Sequence, residues 1–284
     1  MAEILDGKAL SNKIRLEIKE ELTKLYVATD KRCSLAVVMI GDNPASAIYV
    51  RNKIKACEEV GFKSVAVKMP AETTQEQAEE QIKKLNQDPN IFGILVQLPL
   101  PKHLNEKKLL KLISVEKDID GFSAENVGKL TLGEDALFAC TPNGVIQMLK
   151  AYNIAMSGKN AVVIGRSNIV GKPMALLLLK ENCTVTVCHS KTQNLADFTK
   201  NADILVCAIG IAKFVKADMV KKGAVVVDVG MDRDENGKLC GDVDFDAVKE
   251  VSSYITPVPG GVGPMTITML MYNTLQAFKS SLWI

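Results

Sequence analysis

Short apolar runs alternate with longer segments in which apolar residues recur at helical spacing, and this alternation continues along the chain. Such βαβα order is typical of an α/β fold. Runs such as AVVIG and AVVVDVG are apolar at successive positions, which predicts strands of a parallel sheet with helices on both faces. The predicted strands lie at 35–40, 64–69, 91–98, 160–164, 184–188, 204–208, 224–229 and 251–255. The predicted helices lie at 8–25, 45–60, 74–85, 105–112 and 265–278.

A boundary between two α/β domains is predicted at the turn-forming segment Thr141-Pro142-Asn143-Gly144, which precedes a helical run from Val145. We expect a catalytic domain at 1–140 and a nucleotide-binding domain at 141–264. Amphipathicity alone does not decide which of them the final helix joins. The segment MDRDENGKLCGDVDF contains an Asn-Gly pair and predicts a small hairpin.

Composition and charge exclude several classes of protein. The 284 residues are 47% hydrophobic and 24% charged, with a net charge of +2 and interleaved signs. No basic surface for nucleic acid or for an anionic membrane is expected. The start of the chain, MAEILDGKAL, lacks the features of a signal peptide, and no apolar run reaches the length of a membrane span. These observations predict a cytoplasmic protein.

The cysteines and histidines argue against a metal centre. Seven cysteines are scattered without a CxxC pair, which predicts buried, reduced thiols. Only two histidines are present, and they are far apart in sequence. We therefore expect no metal site.

A nucleotide site is predicted where the strand at 160–164 leads into Gly165-Arg166-Ser167-Asn168-Ile169-Val170-Gly171 and then into a helix. A strand that ends at glycine and continues as a helix directs backbone amides toward a phosphate. The pattern departs from GxGxxG, since Ser167 replaces the middle glycine, and helix-packing glycines give a similar pattern. After the strand at 184–188 the chain carries His189-Ser190-Lys191-Thr192 in place of an acid. A hydroxyl and a cation there, together with Arg166, favour the 2′-phosphate of NADP.

A chemical site is predicted from three segments of the first half. Tyr49 and Lys53 are four residues apart on one helical face, although such pairs are common on solvated helices. Gln97 ends an apolar strand and is followed by Leu-Pro-Leu-Pro, at the sheet edge where open α/β folds bind ligands. Asp120, in KDIDGF, could bind the polar edge of a heterocycle or form an Asx turn with Gly121.

A fourth segment, residues 256–266, contains three prolines and three glycines between a strand and an apolar helix. Such a run specifies an irregular backbone path, and its glycines would allow a ligand to approach closely. The alternative is a loop that only turns a corner. If Gly260 and Gly261 contact a ligand, a Cβ at either should raise the KM for that ligand before it harms the fold.

Together these motifs resemble the bifunctional methylenetetrahydrofolate dehydrogenase/methenyltetrahydrofolate cyclohydrolase family, nearly from end to end. The resemblance is carried by ILDGKAL, SAIYVRNK, GILVQLPLP, KDIDGF, CTPNG, GRSNIVGKP, CHSKT, the VDVG strand and TPVPGGVGPMT. It implies an N-terminal α/β domain, a Rossmann-type NADP domain, a cleft between them, and a last helix, 265–284, that returns to the first domain. It also implies a homodimer formed through the nucleotide domain.

The resemblance implies a role for each candidate residue. Lys53 would be the catalytic lysine, Tyr49 would stack near the pterin, Gln97 would tune the lysine, and Asp120 would bind the pterin ring. The folate pocket would be lined by Pro259, Gly260, Gly261 and Val262. The NADP-binding residues would be Thr141, Gly165, Arg166, Ser167, Ser190 and Met231. Met231 occupies a position where the family usually has isoleucine, a swap between apolar side chains of similar bulk.

The implied function is NADP-dependent oxidation of 5,10-methylenetetrahydrofolate to the methenyl form, followed by hydrolysis to 10-formyltetrahydrofolate. Another two-domain NADP-dependent dehydrogenase would lack the YVRNK, QLPLP and PGGVGPMT motifs. A non-catalytic dinucleotide-binding regulator would be expected to lose Lys53, Gln97 or Asp120. All of these features are present here.

Overall fold

The computed structural model describes residues 2–282, which divide into two compact bodies. The six-stranded body comprises residues 2–12 and 139–266, and the three-stranded body comprises residues 13–138 and 267–282. The strands are β1 (Glu3–Ile4), β2 (Ser34–Ile40), β3 (Lys63–Met69), β4 (Gly93–Val96), β5 (Asn160–Ile164), β6 (Thr184–Cys188), β7 (Ile204–Cys207), β8 (Val225–Asp228), β9 (Asp232–Arg233), β10 (Leu239–Cys240) and β11 (Tyr254–Ile255). The helices are α1 (Gly7–Ala28), α2 (Pro44–Val60), α3 (Gln75–Gln87), α4 (Glu106–Lys111), α5 (Ala124–Leu132), α6 (Cys140–Ala151), α7 (Gly171–Lys180), α8 (Leu195–Thr199), α9 (Phe245–Val248) and α10 (Val262–Ser280), and short 3₁₀ helices occur at Val115–Lys117 and Ala217–Met219.

The three-stranded body contains a parallel sheet in the order β3-β2-β4. All seven residues of the central strand β2 are buried, as its apolar sequence SLAVVMI predicts. The helix that follows, α2, begins at Pro44 after the N-cap Asn43, whose side chain accepts the amide of Ser46 at 3.1 Å. It ends at Gly61, which adopts the left-handed conformation that favours glycine.

The six-stranded body contains a parallel sheet in the order β1-β11-β8-β7-β5-β6. Strands β7 and β8 are buried at every position. The chain runs from β5 to β6 on one side and then crosses to β7 on the other side of β5. The switch point of this sheet therefore lies between β5 and β7, where doubly wound folds bind their ligands at the carboxyl edge.

The two α/β bodies and the parallel sheets confirm the predicted fold class, and the Asn-Gly segment forms the predicted hairpin, with β9 antiparallel to β10. All seven cysteines are buried free thiols, as predicted. In the described part of the chain, no helix combines the length and apolar character needed to cross a bilayer.

The first described residues do not belong to the body to which the expected division at 1–140 assigned them. Strand β1 pairs in parallel with β11, so residues 2–12 are part of the six-stranded body. Two residues of strand carry too little periodicity to be detected, and their partner lies about 250 residues away in sequence. The short helices α8 and α9 and the helix α5 were also absent from the predicted elements.

Two proline-containing segments that were predicted as irregular are the first turns of helices. Thr141–Gly144 belongs to α6, which begins at Cys140, and Val262–Thr266 belongs to α10, which begins at Val262. Proline is compatible with the first turn because its missing N–H would have no partner within the helix there. Proline therefore marked the starts of these helices, which the sequence pattern placed several residues too late.

Candidate active site

The carboxyl edge of the three-stranded sheet brings two of the predicted segments together. Strand β2 ends at Ile40 and leads into α2, which carries Tyr49 and Lys53 one turn apart. The neighbouring strand β4 ends at Val96, and the amide of Gln97 still donates to the carbonyl of Val38 at 2.8 Å. The first turns of α2 and the exit of β4 therefore share one edge of the sheet.

Lys53 and Gln97 are in direct contact at this edge. The Nζ of Lys53 donates to the Oε1 of Gln97 at 3.0 Å, and the Nε2 of Gln97 donates to the carbonyl of Leu98 at 2.6 Å. Gln97 is 9% exposed, and the peptide bond that follows, between Leu98 and Pro99, is cis. The two hydrogen bonds and the burial hold the amide side chain in one orientation, with its oxygen directed toward the lysine.

The carboxyl group of Asp120 interacts electrostatically with Lys53 and so belongs to the same site. Burial raises the pKa of its carboxyl group to about 6, and the charge of Lys53 opposes that rise while the charge of Asp118 adds to it. A carboxyl group with this pKa is ionised at neutral pH but close to titration. The three predicted residues Lys53, Gln97 and Asp120 therefore form one polar cluster of a base, an amide and an acid.

The turn that carries Asp120 is built by Asp118 rather than by Asp120 itself. The buried carboxylate of Asp118 accepts the amides of Phe122 at 3.2 Å and Ser123 at 2.7 Å and the Nδ2 of Asn126 at 2.9 Å. Asp118 has the role that the Asx-turn alternative gave to Asp120. The side chain of Asp120 is consequently not used in capping its own turn.

Sequence reasoning missed two residues that fix this turn. Lys117 donates from Nζ to the carbonyls of Leu85, Asn86 and Asp88 at 2.6–3.1 Å. Asn273 of α10 donates from Nδ2 to the carbonyls of Ile119 and Phe138, both at 2.8 Å. The available signal for Asn273 was an amide side chain in the run MLMYNTLQAF, in which most residues are apolar.

Tyr49 differs from its neighbours in exposure. Its side chain is 40% exposed, one turn before the partly buried Lys53. An exposed phenol ring next to a buried polar cluster offers a flat surface for an aromatic ligand.

In the six-stranded body, the strand-to-helix connection after β5 is closely packed. A Cβ on Gly165 would lie 2.3 Å from the carbonyl oxygen of Ala208, and one on Gly171 would lie 2.2 Å from that of Gly165. The hydroxyl oxygen of Ser167 accepts the amides of Val170 at 3.1 Å and Gly171 at 3.2 Å. These glycines allow backbone to approach backbone, so the helix-packing explanation holds for them, and Ser167 holds the connection that leads into α7.

The charged and hydroxyl side chains at this edge face solvent. Arg166 and Ser190 are exposed at the exits of the adjacent strands β5 and β6. The turn with Ser190 is held by its neighbours: the amide of His189 donates to the Oγ1 of Thr192 at 2.9 Å, and the amide of Lys191 donates to the Nδ1 of His189 at 3.1 Å. An exposed cation and hydroxyl at adjoining strand ends fit a phosphate monoester.

Apolar side chains are exposed at the next two strand exits of the same edge. Ile211, after β7, is 52% exposed and Met231, after β8, is 48% exposed. With Arg166 and Ser190, they give this edge both a polar and an apolar part. A dinucleotide likewise combines polar phosphates with largely apolar rings.

The segment that contains Pro259, Gly260, Gly261 and Val262 packs against the start of α1. A Cβ on Gly7 would lie 1.9 Å from the carbonyl oxygen of Gly261, and the amide of Lys8 donates to the carbonyl of Gly260 at 2.9 Å. Pro259 is exposed, whereas Val262 is 4% exposed. Thr141 contacts α10, with its Oγ1 3.0 Å from that of Thr266.

Gly261 has a packing role that the sequence did not indicate. A Cβ there would lie 2.6 Å from the carbonyl oxygen of Pro257 and 2.9 Å from the Cβ of Thr256. Gly260 has a φ of +107°, and the nearest atom to its Cβ position would be 3.9 Å away. The expectation that a Cβ at Gly261 acts on ligand binding before it acts on the fold is therefore not supported by this packing.

Comparison with known proteins gives matches along most of the chain. Residues 5–120 match the family model described as tetrahydrofolate dehydrogenase/cyclohydrolase, catalytic domain. Residues 139–282 match the model described as tetrahydrofolate dehydrogenase/cyclohydrolase, NAD(P)-binding domain. The chain is 57% identical over 279 residues to the bifunctional protein FolD of Listeria innocua, covering 98% of each chain.

Solved structures are similar over nearly the whole chain. The bifunctional methylenetetrahydrofolate dehydrogenase/cyclohydrolase of Campylobacter jejuni is 50% identical, with a TM-score of 0.96 and 99% of each chain covered. The methylenetetrahydrofolate dehydrogenase-cyclohydrolase of Trypanosoma brucei, in complex with NADP and an inhibitor, is 39% identical. Its TM-score is 0.95, with 100% of this chain and 99% of that chain covered.

Proposed function

The chain belongs to the tetrahydrofolate dehydrogenase/cyclohydrolase family, and from this premise we propose how its residues divide the work of two reactions. It is a bifunctional enzyme of one-carbon folate metabolism. With NADP as cofactor, it oxidises 5,10-methylenetetrahydrofolate to 5,10-methenyltetrahydrofolate and then hydrolyses that product to 10-formyltetrahydrofolate. The other two-domain dehydrogenase and the non-catalytic regulator are not favoured.

We propose that the three-stranded body carries the chemical groups, because there a base, an amide and an acid form one cluster. The observation that carries this proposal is the 3.0 Å hydrogen bond from Lys53 Nζ to Gln97 Oε1. The oxygen of Gln97 can only accept, so it orients the amine of Lys53 without competing for its proton.

In the hydrolytic reaction, water attacks the electrophilic methenyl carbon. The Nζ of Lys53 accepts one proton of that water as the C–O bond forms. The bond from this carbon to N5 then breaks, N5 takes up a proton, and the oxygen becomes the formyl carbonyl on N10. One water is consumed and one proton is released overall, and a side chain that both accepts and returns protons suits this sequence.

Asp120 and Tyr49 are proposed to hold the substrate. An ionised Asp120 can accept hydrogen bonds from the N–H groups of the pterin edge, and its pKa of about 6 keeps it ionised at neutral pH. The exposed ring of Tyr49 would stack on the pterin. We propose Pro259, Gly260, Gly261 and Val262 as further residues of the folate pocket, with Gly261 also needed for packing.

The residues of the six-stranded body fit NADP. Arg166 and Ser190 would hold the 2′-phosphate, since a cation and a hydroxyl lie exposed at adjacent strand ends without an acid between 188 and 192. The phosphates of the cofactor would lie against Gly165, Ser167 and Thr141, and Met231 would contact one of its rings. Bound NADP⁺ supplies the hydride acceptor for the methylene bridge.

One assay tests the function. Methylenetetrahydrofolate and NADP⁺ are mixed with the enzyme, and the absorbance of methenyltetrahydrofolate is followed as it grows and then decays. A non-catalytic regulator would give no increase in this absorbance. A dehydrogenase specific for another substrate would give none with methylenetetrahydrofolate.

We also propose a cytoplasmic homodimer. Seven buried free thiols are compatible with a reducing compartment. In the described chain β6 is an edge strand paired only with β5, and Val187 on it and Leu179 on α7 are 38% and 59% exposed. Light scattering after size-exclusion chromatography should give twice the chain mass of 30.8 kDa, and cell fractionation should recover the activity with cytoplasmic markers. A monomer at micromolar concentration would contradict the dimer.

A further inference from the structure

Two connections leave the carboxyl edge of the six-stranded sheet next to its switch point. One follows β7 and contains residues 208–211, and the other follows β8 and contains residues 229–231. The first lies against Gly165, whose Cβ position is 2.3 Å from the carbonyl oxygen of Ala208. Both connections present half-exposed apolar side chains, Ile211 and Met231. We call residues 208–211 the β7 exit loop.

A buried carboxylate group fixes the position of the β7 exit loop. The side chain of Asp242 is fully buried, and its two oxygens accept the amides of Ile209 at 2.7 Å and Ile211 at 2.8 Å. Both amides therefore point away from solvent, toward one side chain. The position of this loop depends on the position of Asp242.

A second buried carboxylate holds Asp242 and the next connection. Asp228, at the end of β8, accepts the amides of Gly230 at 3.0 Å and of Asp242 and Val243, both at 2.9 Å. A Cβ on Gly241 would lie 2.0 Å from an oxygen of Asp228, and one on Gly230 would lie 2.7 Å from the carboxyl carbon of Asp242. The backbone is thus folded closely around both carboxyl groups.

A third carboxyl group, that of Asp232 at the start of β9, has no such set of donors. Its Oδ2 is buried without a hydrogen-bond partner, its Oδ1 lies 3.9 Å from the Cβ position of Gly210 in the β7 exit loop, and its carboxyl group is adjacent to that of Asp242. Two carboxylates cannot hydrogen-bond to each other unless one of them carries a proton. Burial, followed by the charge of Asp242, raises the pKa of Asp232.

We propose that Asp232 and Asp242 share one proton, and that this acid–carboxylate pair positions the β7 exit loop for binding NADP. The oxygens of Asp242 already accept two amides, so the proton is held on Asp232 and donated to Asp242. Both are positioning residues, since they act on the cofactor through the loop. This inference rests on the cofactor site proposed above.

The titratable groups around the pair are mostly acidic or neutral. Asp228 and the thiol of Cys207 face Asp242 from β8 and β7, and the thiol of Cys240 faces Asp232 from β10. The nearest cation, Lys213, is engaged with Asp234 at 3.3 Å. Within residues 2–282 no group of acidic, histidine or cysteine side chains has the arrangement of a metal site. A shared proton, rather than a cation, therefore accounts for the contact between the two carboxyl groups.

Loss of the shared proton at higher pH leaves two adjacent negative charges. Their repulsion displaces Asp242 from the amides of Ile209 and Ile211, because like charges in a buried site are strongly unfavourable. The KM for NADP⁺ should then rise with pH, by about tenfold if one charge-assisted hydrogen bond to the loop is lost. The cyclohydrolase reaction does not consume NADP⁺ and provides an internal control in the same protein.

The test compares Asp232→Asn with Asp234→Asn. The asparagine at 232 has the same shape and supplies a permanent N–H donor to Asp242. Its KM for NADP⁺ should remain low and constant over the pH range in which the wild-type KM rises. Asp234, on the same hairpin and paired with Lys213, is the matched control, and its variant should follow the wild-type profile. Cyclohydrolase rates should be equal in all three proteins.

A measurement on the wild-type chain covers the case in which the variant does not fold. In a carboxyl-carbon NMR titration, the resonance of Asp232 should still be that of a protonated acid at a pH where Asp234 has ionised. An ionised Asp232 at that pH, or an Asp232→Asn profile identical to wild type, would overturn the inference. If the wild-type enzyme oxidises methylenetetrahydrofolate and its KM for NADP⁺ does not change with pH, only this inference is contradicted. If it shows no NADP⁺-dependent oxidation at any pH, the proposed function is contradicted.

Discussion

In the three-stranded body the candidate residues are side chains that meet one another: Lys53 donates to Gln97, and Asp120 is close enough to feel the charge of Lys53. In the six-stranded body the corresponding edge consists of tightly packed backbone at Gly165 and Gly171, with Arg166 and Ser190 exposed around it. The first arrangement restricts side chains that exchange protons. The second restricts the backbone and leaves the recognising side chains in solvent. The comparison suggests that single substitutions will abolish chemistry in one body and only alter affinity in the other.

The largest expected effect is at Lys53. Lys53→Met keeps the length of the side chain and removes the nitrogen that exchanges protons, so cyclohydrolase activity should fall by about 10²-fold or more. Hydride departure has no such requirement, although the dehydrogenase rate should also decline if the amine helps to seat the pterin. Hydrolysis of methenyltetrahydrofolate measures the effect.

Lys55→Met is the matched control for that variant. Lys55 lies on the same helix, is 74% exposed, and is 3.9 Å from the carboxylate of Glu59. It should keep the wild-type rate. A wild-type rate in Lys53→Met as well would show that Lys53 is an ordinary helix-surface lysine.

The second prediction concerns recognition in the six-stranded body. If Arg166 and Ser190 each make a charge-assisted contact with the 2′-phosphate, kcat/KM should favour NADP⁺ over NAD⁺ by about tenfold or more. Arg166→Ala should remove most of that preference while leaving kcat with saturating NADP⁺ nearly unchanged. Lys180→Ala, at the other end of α7, controls for the loss of a positive charge. Equal use of both cofactors by the wild-type enzyme would contradict the prediction.

The third prediction concerns backbone packing. Gly261→Ala should lower the free energy of unfolding by about 1–3 kcal/mol, because the added Cβ overlaps the carbonyl of Pro257 and forces a shift. Gly128→Ala provides the control, since it lies in α5 with no atom within 4 Å of its Cβ position. That variant should be unchanged or stabilised by up to about 1 kcal/mol. Denaturant unfolding measures both, and an unchanged stability with a raised folate KM would restore the ligand-contact explanation for Gly261.

The smallest expected effect is the pH dependence contributed by Asp120. Its pKa is raised to about 6 in the folded protein, so the folded state binds the proton more tightly than the unfolded state does. The resulting stabilisation is fully present below about pH 4 and is lost as pH rises through about 6. The difference in unfolding free energy between wild type and Asp120→Asn should change over that window. A constant difference for Asp120→Asn would contradict the raised pKa.

The sequence predicted the α/β class, most long elements and the NADP cofactor because each depends on local pattern. Continuous apolar runs identified β2 and β5, and the missing acid after β6 pointed to the 2′-phosphate. The pairing of β1 with β11 could not be predicted in this way, since two residues give no periodicity and the partner is remote in sequence. The carboxyl pair at Asp232 and Asp242 was hidden for a related reason. In sequence these acids belong to a hydrophilic hairpin, and only the closed sheet turns them inward.

Each body is discontinuous in sequence, and this has a consequence for biosynthesis. The six-stranded sheet needs both β1 and β11, which are about 250 residues apart in the sequence. The three-stranded body likewise includes residues 267–282. Strand β1 is therefore synthesised about 250 residues before its partner, so the segments made first must wait with apolar surface uncovered. We expect nascent chains arrested before residue 250 to be sensitive to protease and to bind chaperones, and neither body to be recoverable as a single uninterrupted fragment.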